Sequence, residues 1–155
     1  MSSESFPGPI DAHVHAPLGN GPSGLPRWVD FEASLEQAGL SQAVVVQFER
    51  EESTTLSVIE WADSSDHVCA VAGWIDVTSS NVDAVLNQVC GSPKFKSIAL
   101  PVFLEVDNHW LVTPEAIRGL EVVASRGLAL DVQIEPRQLP SISELAQAIP
   151  DLQIV

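Results

Sequence analysis

GLALDVQIEPRQLPSISELAQAIPDLQIV, residues 127–155, holds one full strand–helix–strand cycle. LALDVQI, 128–134, is an apolar-rich run of strand length, and LPSISELAQAI, 139–149, carries its apolar residues at helical spacing. DLQIV then reads as the opening of a further strand. Strand, helix and strand in that order make a βα unit that returns to a parallel sheet.

Four more such units lead up to it. TPEAIRGLEVVASRG, 113–127, predicts a helix with Thr113 as N-cap, proline at its first position and Gly127 as its stop. The strand before it is KSIALPVF, 96–103, and before that comes a short helix, SSNVDAVLNQVCG, ending at Gly91. VCAVAGWID, Val68–Asp76, is the third strand. STTLSVIEWADSS follows the second strand, with Ser53 or Thr54 as N-cap. That second strand, AVVVQF, is a β-branched run of the kind a parallel sheet buries on both faces. WVDFEASLEQAG, 28–39, is a helix closed by Gly39, and IDAHVH, 10–15, is the first strand. Between these two, APLGNGPSGLP reads as a lid or crossover, or as an ordinary surface loop. Residues 1–9 are expected to be a flexible tail, leaving 10–155 as one domain.

Length bears on how the units close. A full (β/α)8 barrel usually needs about 250 residues, whereas an open doubly wound sheet fits within the 155 present. A doubly wound nucleotide-binding sheet, however, announces itself by a GxGxxG turn after its first strand, and the glycines of residues 16–26 do not take that form.

Composition narrows the function. Apolar residues make up 45% of the chain, as in a folded globular protein. The formal net charge of −14, from 21 acidic against 7 basic residues, repels nucleic-acid backbones and anionic membranes. No run reaches the roughly 18 apolar residues of a membrane span, and MSSESFPGP lacks a basic start and an apolar signal core. The expectation is a soluble, cytoplasmic protein with a small-molecule substrate. Cys69 and Cys90 match neither a disulfide framework nor a CxxC metal spacing, and are expected to be buried thiols.

Strand alternation sorts the polar residues. Asp11, His13 and His15 fall on one parity and Ile10, Ala12 and Val14 on the other. Two strand steps, about 6.5 Å, let two imidazoles reach one cation at about 2 Å, so His13 and His15 are the candidate metal ligands. Chance pairing, or hydrogen bonding within a polar core, is the competing account. Polar groups recur at the C-terminal ends of the strands, where parallel α/β folds build active sites. Gln47, Trp74, Asp76 and Gln133, with His109 and Trp110 from the loop after the fourth strand, are the candidate substrate-binding residues. A catalytic zinc needs about three protein ligands; Asp76 or Glu135 is a candidate third, an oxygen donor. His67 precedes the third strand, at the opposite end, and reads as structural.

IDAHVH, VVVQ, VAGWIDV, SPKFKSIALPV leading to WL, and the 127–155 stretch, with Pro136, Arg137, Gln138 and Leu139 after the fifth strand, together resemble the amidohydrolase superfamily. Within it they are most similar to the lactone hydrolases, the branch of fuconolactonase and 2-pyrone-4,6-dicarboxylate lactonase. The resemblance implies an α/β parallel barrel of TIM type, here incomplete: about five βα units plus the start of a sixth strand, the N-terminal portion of such an enzyme. It implies hydrolysis of a lactone of a sugar acid or related carboxylic acid by an activated water. Catalytic residues, a histidine after the sixth strand and an aspartate after the eighth, are expected beyond Val155. The resemblance implies a divalent metal, zinc foremost, and also admits a metal-free mechanism. Where the lactonases show glycine, a hydrophobic residue, arginine and histidine in the fourth strand, this chain has Ser97, Ile98, Ala99 and Leu100, and Lys96 lies too early to replace that arginine. Two other functions remain open: a decarboxylase of the aminocarboxymuconate type, and an inactive truncated barrel acting as a binding protein, completed by another subunit or a homo-oligomer.

Overall fold

The computed structural model describes residues 8–15 and 28–155, the side chains of 28–30 excepted. Most of the expected tail and the whole loop of residues 16–26 lie outside them. Among the described residues, strands and helices alternate: β1 (Ile10–His15), α1 (Trp28–Gln37), β2 (Gln42–Val46), α2 (Glu52–Ser64), β3 (Val68–Gly73), α3 (Val82–Val89), β4 (Phe95–Pro101), α4 (Pro114–Ser125), β5 (Ala129–Gln133) and α5 (Leu139–Ala148). All strands are parallel, and the sheet order is β1-β2-β3-β4-β5. A doubly wound sheet reverses its order at a switch point. Laying each strand beside its predecessor is instead the winding of a barrel, and five parallel strands curl here into half of one. The final residues extend the series: Leu130 N–H donates to Gln153 O at 2.8 Å, Val155 N–H to Leu130 O at 2.8 Å and Val132 N–H to Val155 O at 3.1 Å.

The local reasons are visible in the termini. Thr113 Oγ1 accepts from Ala116 N–H at 3.4 Å, and Pro114 opens α4. Gly39 and Gly127 follow α1 and α4 with φ of 72° and 67°, a conformation that favours glycine. The second helix departs from expectation. It starts at Glu52 with Glu51 as N-cap, so Ser53 and Thr54 lie in its first turn. The strands are shorter than their apolar runs: β3 stops at Gly73, and the segment after Pro101 turns into a 3-10 turn.

Bulges shape the curl. Asp11 and Val14 pair with Ala43 and Val45, putting two residues of β1 opposite one of β2; Cys69 of β3 and Lys96 of β4 are likewise extra. Such insertions bend a strand and strengthen its twist. They also break the simple alternation of β1. Asp11 shares a face with Ala43, an outer-core residue, and its Oδ1 accepts from the His13 N–H at 3.0 Å.

The main core lies between sheet and helices, where Val45, Val71, Ile98 and Leu130 are each 0% exposed. There Gly119 of α4 crosses the segment after β3 so closely that a Cβ would meet Val77 O at 1.8 Å. The other face of the sheet holds a separate small cluster of Val46, Ala72 and Ala99, with Val44 beside it. Cys69 and Cys90 are half-buried rather than buried. The Cys69 thiol donates to Ala43 O at 3.3 Å, the role of a packed thiol. His67 sits half-buried at the N-terminal end of β3, its Nδ1 3.2 Å from Ser41 O.

Candidate active site

The concave face of the sheet is set by register. His15 pairs with Val46, Val46 with Ala72, Ala72 with Ser97 and Ser97 with Ala129, and paired residues share a face. His13, two positions before His15 and beyond the bulge, shares its side. Asp131 pairs with Ala99, and Gln133 with Pro101, on the same side of β5. The structure therefore brings His13, His15, Asp131 and Gln133 to one concave face, whose floor is small and apolar.

The two imidazoles stand edge to face with centroids 5.0 Å apart, and both are exposed within the open concavity. His15 meets the Phe48 ring edge to face at 5.7 Å, and Phe48 in turn lies 6.2 Å from Phe103, an aromatic rim at the strand ends. Asp131 is half-buried, and burial raises its carboxyl above the ordinary aspartate value, while the charges of His13 and His15 pull it back down. Among the described residues no three His, Cys, Asp or Glu side chains are gathered closely enough to hold a metal ion as they stand.

The other candidates are dispersed. Gln47, 1% exposed, is turned away from the concavity. Its Nε2 donates to Glu49 O at 2.6 Å and Glu51 O at 2.9 Å, and its Oε1 accepts from Thr55 Oγ1 at 2.7 Å and from the Trp74 N–H at 3.3 Å. All the hydrogen-bonding capacity of its amide group is engaged in tying the loop after β2 to the one after β3. Trp74 is half-buried, with the Arg50 guanidinium carbon 5.9 Å from its ring centroid. Asp76 accepts from the Thr78 amide at 3.0 Å and the Thr78 hydroxyl at 2.6 Å. His109 is exposed, its Nδ1 3.6 Å from Glu144 Oε2 of α5, and Trp110 packs half-buried against the outer core. Glu135 is paired with Arg137 at 2.6 Å.

Sequence reasoning missed the groups that organise the rim. Arg50 bridges to Glu105 at 2.8 Å, joining the loops after β2 and β4. Arg137 donates to Glu105 O at 3.1 Å and to Asn108 Oδ1, and the buried Gln138 donates to Val102 O at 2.7 Å while accepting from the Glu135 N–H at 3.0 Å. The signal for Gln138 was present: Glu135 followed three residues later by glutamine is the spacing of a capping box. Nothing local marked Arg50. Asp131 lies on β5, and its place on the face of His13 and His15 follows from register and curl that no single segment encodes.

The amidohydrolase family model matches residues 10–155. An L-fucono-1,5-lactonase of Burkholderia ambifaria is 29% identical over 126 residues, covering 81% of this chain and 43% of that protein. An uncharacterised protein of Sinorhizobium fredii is 25% identical over 138 residues, covering 81% and 46%. Among solved structures, an amidohydrolase of Burkholderia multivorans superposes with a TM-score of 0.84 at 18% identity, covering 94% of this chain and 55% of that one. A crystal form of the Burkholderia multivorans amidohydrolase with bound zinc gives 0.81 at 17%, covering 94% and 56%. A 2-pyrone-4,6-dicarboxylic acid hydrolase of Pseudomonas putida, so described with reserve, gives 0.70 at 16%, covering 97% and 56%. The chain spans about half the length of these relatives. It belongs to the amidohydrolase family. No helix among the described residues is long and apolar enough to cross a membrane.

Proposed function

We propose that this member of the amidohydrolase family takes part in opening a lactone of a sugar acid or related carboxylic acid, with His13 and His15 as ligands of a divalent cation, zinc foremost. The observation that carries the reading is the pair of imidazoles 5.0 Å apart on the concave face at the end of β1, in a chain 29% identical to a lactonase over 126 residues. Two imidazoles suit a cation of the zinc type, and the zinc bound by the Burkholderia multivorans relative agrees with that donor chemistry. When bound, such a cation polarises a carbonyl and lowers the pKa of water.

The reaction adds water oxygen to the lactone carbonyl carbon and breaks the ring carbon–oxygen bond. The ring oxygen leaves as a hydroxyl carrying a proton, and a hydroxy acid results. In this reading the His13 and His15 imidazoles hold the reacting end, while Gln133 on the same face meets substrate hydroxyls. Trp74 and Trp110 offer apolar walls at the loops, with Asp76 and His109 as polar contacts. Gln47 acts at one remove: by holding the Trp74 amide and the Glu51 carbonyl it fixes where Trp74 stands.

The test uses the protein as its own cell makes it. Alkali uptake in a pH-stat on sugar-acid lactones, with no carbon dioxide released from carboxylated muconates, is the expected result. Carbon dioxide release without lactone opening would establish the decarboxylase instead, and neither reaction would leave a binding protein.

A further inference from the structure

We infer that Arg50 and Glu105 form a specificity-determining subsite at the mouth of the concave face, one that takes neighbouring hydroxyl groups of an uncharged ligand and discriminates against ligands bearing carboxylates. The inference rests on reading that face as the seat of a lactone. It chooses between the two substrate classes that reading leaves open, hydroxylated lactones and lactones that carry free carboxylates.

Position is the first support. Arg50 stands on the loop after β2 and Glu105 on the loop after β4, joined at 2.8 Å. Phe48, two residues before Arg50, meets the His15 ring, and Phe103, two residues before Glu105, lies 6.2 Å from Phe48. The pair therefore continues the aromatic rim that starts at the imidazoles. Both members are held in place. The Arg50 guanidinium lies 5.9 Å from the Trp74 ring centroid, and the Trp74 main chain is fixed by Gln47 and Thr55. The Glu105 N–H donates to Val102 O at 2.8 Å, and its carbonyl accepts from Arg137 at 3.1 Å.

Unused bonding capacity is the second. Arg50 spends Nη2 on Glu105 Oε1, while its Nε and Nη1 and the Glu105 Oε2 have no partner among the described residues. The side chains are 41% and 21% exposed, so a ligand can reach them. Arg137, the other guanidinium bonded to the loop after β4, is spent on Glu135, Asn108 and backbone carbonyls. Arg50 is not needed as a tether either, because Arg137 and Gln138 already hold that loop and an exposed ion pair stabilises a fold little.

Charge is the third. Glu105 already meets the charge of Arg50, and Glu49, Glu51 and Glu52 flank it in the chain. A carboxylate arriving there finds its cation taken and acids around it. Hydroxyls on adjacent carbons suit the pair instead: their oxygens accept from the free guanidinium N–H groups, and their protons go to the free carboxylate oxygen.

The experiment titrates ligands into the isotope-labelled chain and follows the Arg50 Nε–H and Trp74 indole N–H signals by NMR. The probes are ribonolactone, which is uncharged and hydroxylated, γ-butyrolactone, which has no hydroxyl, and 2-pyrone-4,6-dicarboxylate. Ribonolactone is expected to shift both signals saturably and to bind about ten-fold more tightly than the other two. Arg50→Met, which keeps the length and loses the donors, should weaken ribonolactone about ten-fold. Glu105→Gln should weaken it too and at the same time tighten the dicarboxylate, because the guanidinium charge is released. A pair that only tied loops together would not exchange one ligand preference for the other. Thermal melts check folding, and if R50M does not fold, E105Q alone decides. The subsite is overturned if the dicarboxylate binds wild type as tightly as ribonolactone, if R50M binds ribonolactone like wild type, if E105Q leaves the order of the probes unchanged, or if ribonolactone moves neither signal. The hydrolase reading is judged separately. Ribonolactone binding at Arg50 without opening of any lactone defeats only the hydrolase, and lactone opening that R50M leaves undiminished defeats only the subsite.

Discussion

Along the same five strands, the residues that face the helices and those that face the concavity differ in size and in chemistry. Outward stand Val45, Val71, Ile98 and Leu130, all fully buried beneath α1 to α5. Inward stand Val46, Ala72 and Ala99, a thin apolar floor, with His13, His15, Asp131 and Gln133 around it. Burial, and with it the fold's stability, is concentrated on the face toward the helices, while the titratable and polar groups named here stand on the other. The outer face removes branched apolar surface from water, the dominant favourable term in folding. The inner face keeps its side chains small and polar, leaving room for a ligand.

The largest effect that would break this division is expected from Ile98→Ala. Removing a fully buried branched side chain from the outer face should cost about 2–5 kcal/mol, read as a lower urea midpoint with unchanged slope. A loss below about 1 kcal/mol would mean that the outer layer is not the main core. Gly119→Ala comes next. Its new methyl must displace the Val77 carbonyl, which argues for about 1–3 kcal/mol. Gln47→Ala should cost about 1–2 kcal/mol, because it leaves the Trp74 amide and the Thr55 hydroxyl each short of one partner. If Gln47 were a substrate contact alone, its removal would leave the melting temperature unchanged.

The smallest effect has the opposite sign. Burial raises the Asp131 carboxyl above the ordinary value of 3.8. The folded chain therefore keeps a proton that the unfolded chain has released, and the associated stability is present below 3.8 and lost as pH rises through the raised value. In chelator at pH 7, Asp131→Asn should melt slightly higher than wild type, and the gap should close as pH falls toward 3.8. An inner-face side chain whose removal raises stability would stand opposite to Ile98, whose removal lowers it.

How much of this was legible in the sequence follows from the range of each signal. Helices and strands alternated as read, because apolar spacing, the Thr113 cap and the glycines at 39 and 127 act within a few residues. Barrel winding was less legible, since length alone pointed to an open sheet and only the family-ordered segments pointed to a cylinder. The bulges at β1, β3 and β4 left no mark on periodicity, and so Asp11 was grouped with two histidines whose face it does not share. Gln47 was placed by parity at a strand end, where the chain had already left the strand; the Thr55 hydroxyl and the Trp74 amide decide its direction. Asp131 shares the concave face of His13 and His15 from the opposite end of the sheet, a relation set by strand register and curl rather than by any local signal.

Anomalous diffraction at the zinc edge, from crystals of this chain soaked in zinc, shows whether the His13–His15 pair takes a cation. Zinc is expected on the concave face, about 2 Å from a nitrogen of His13 and of His15. A concave face with no anomalous peak, or zinc held on the helical side, would overturn the reading of that pair as ligands.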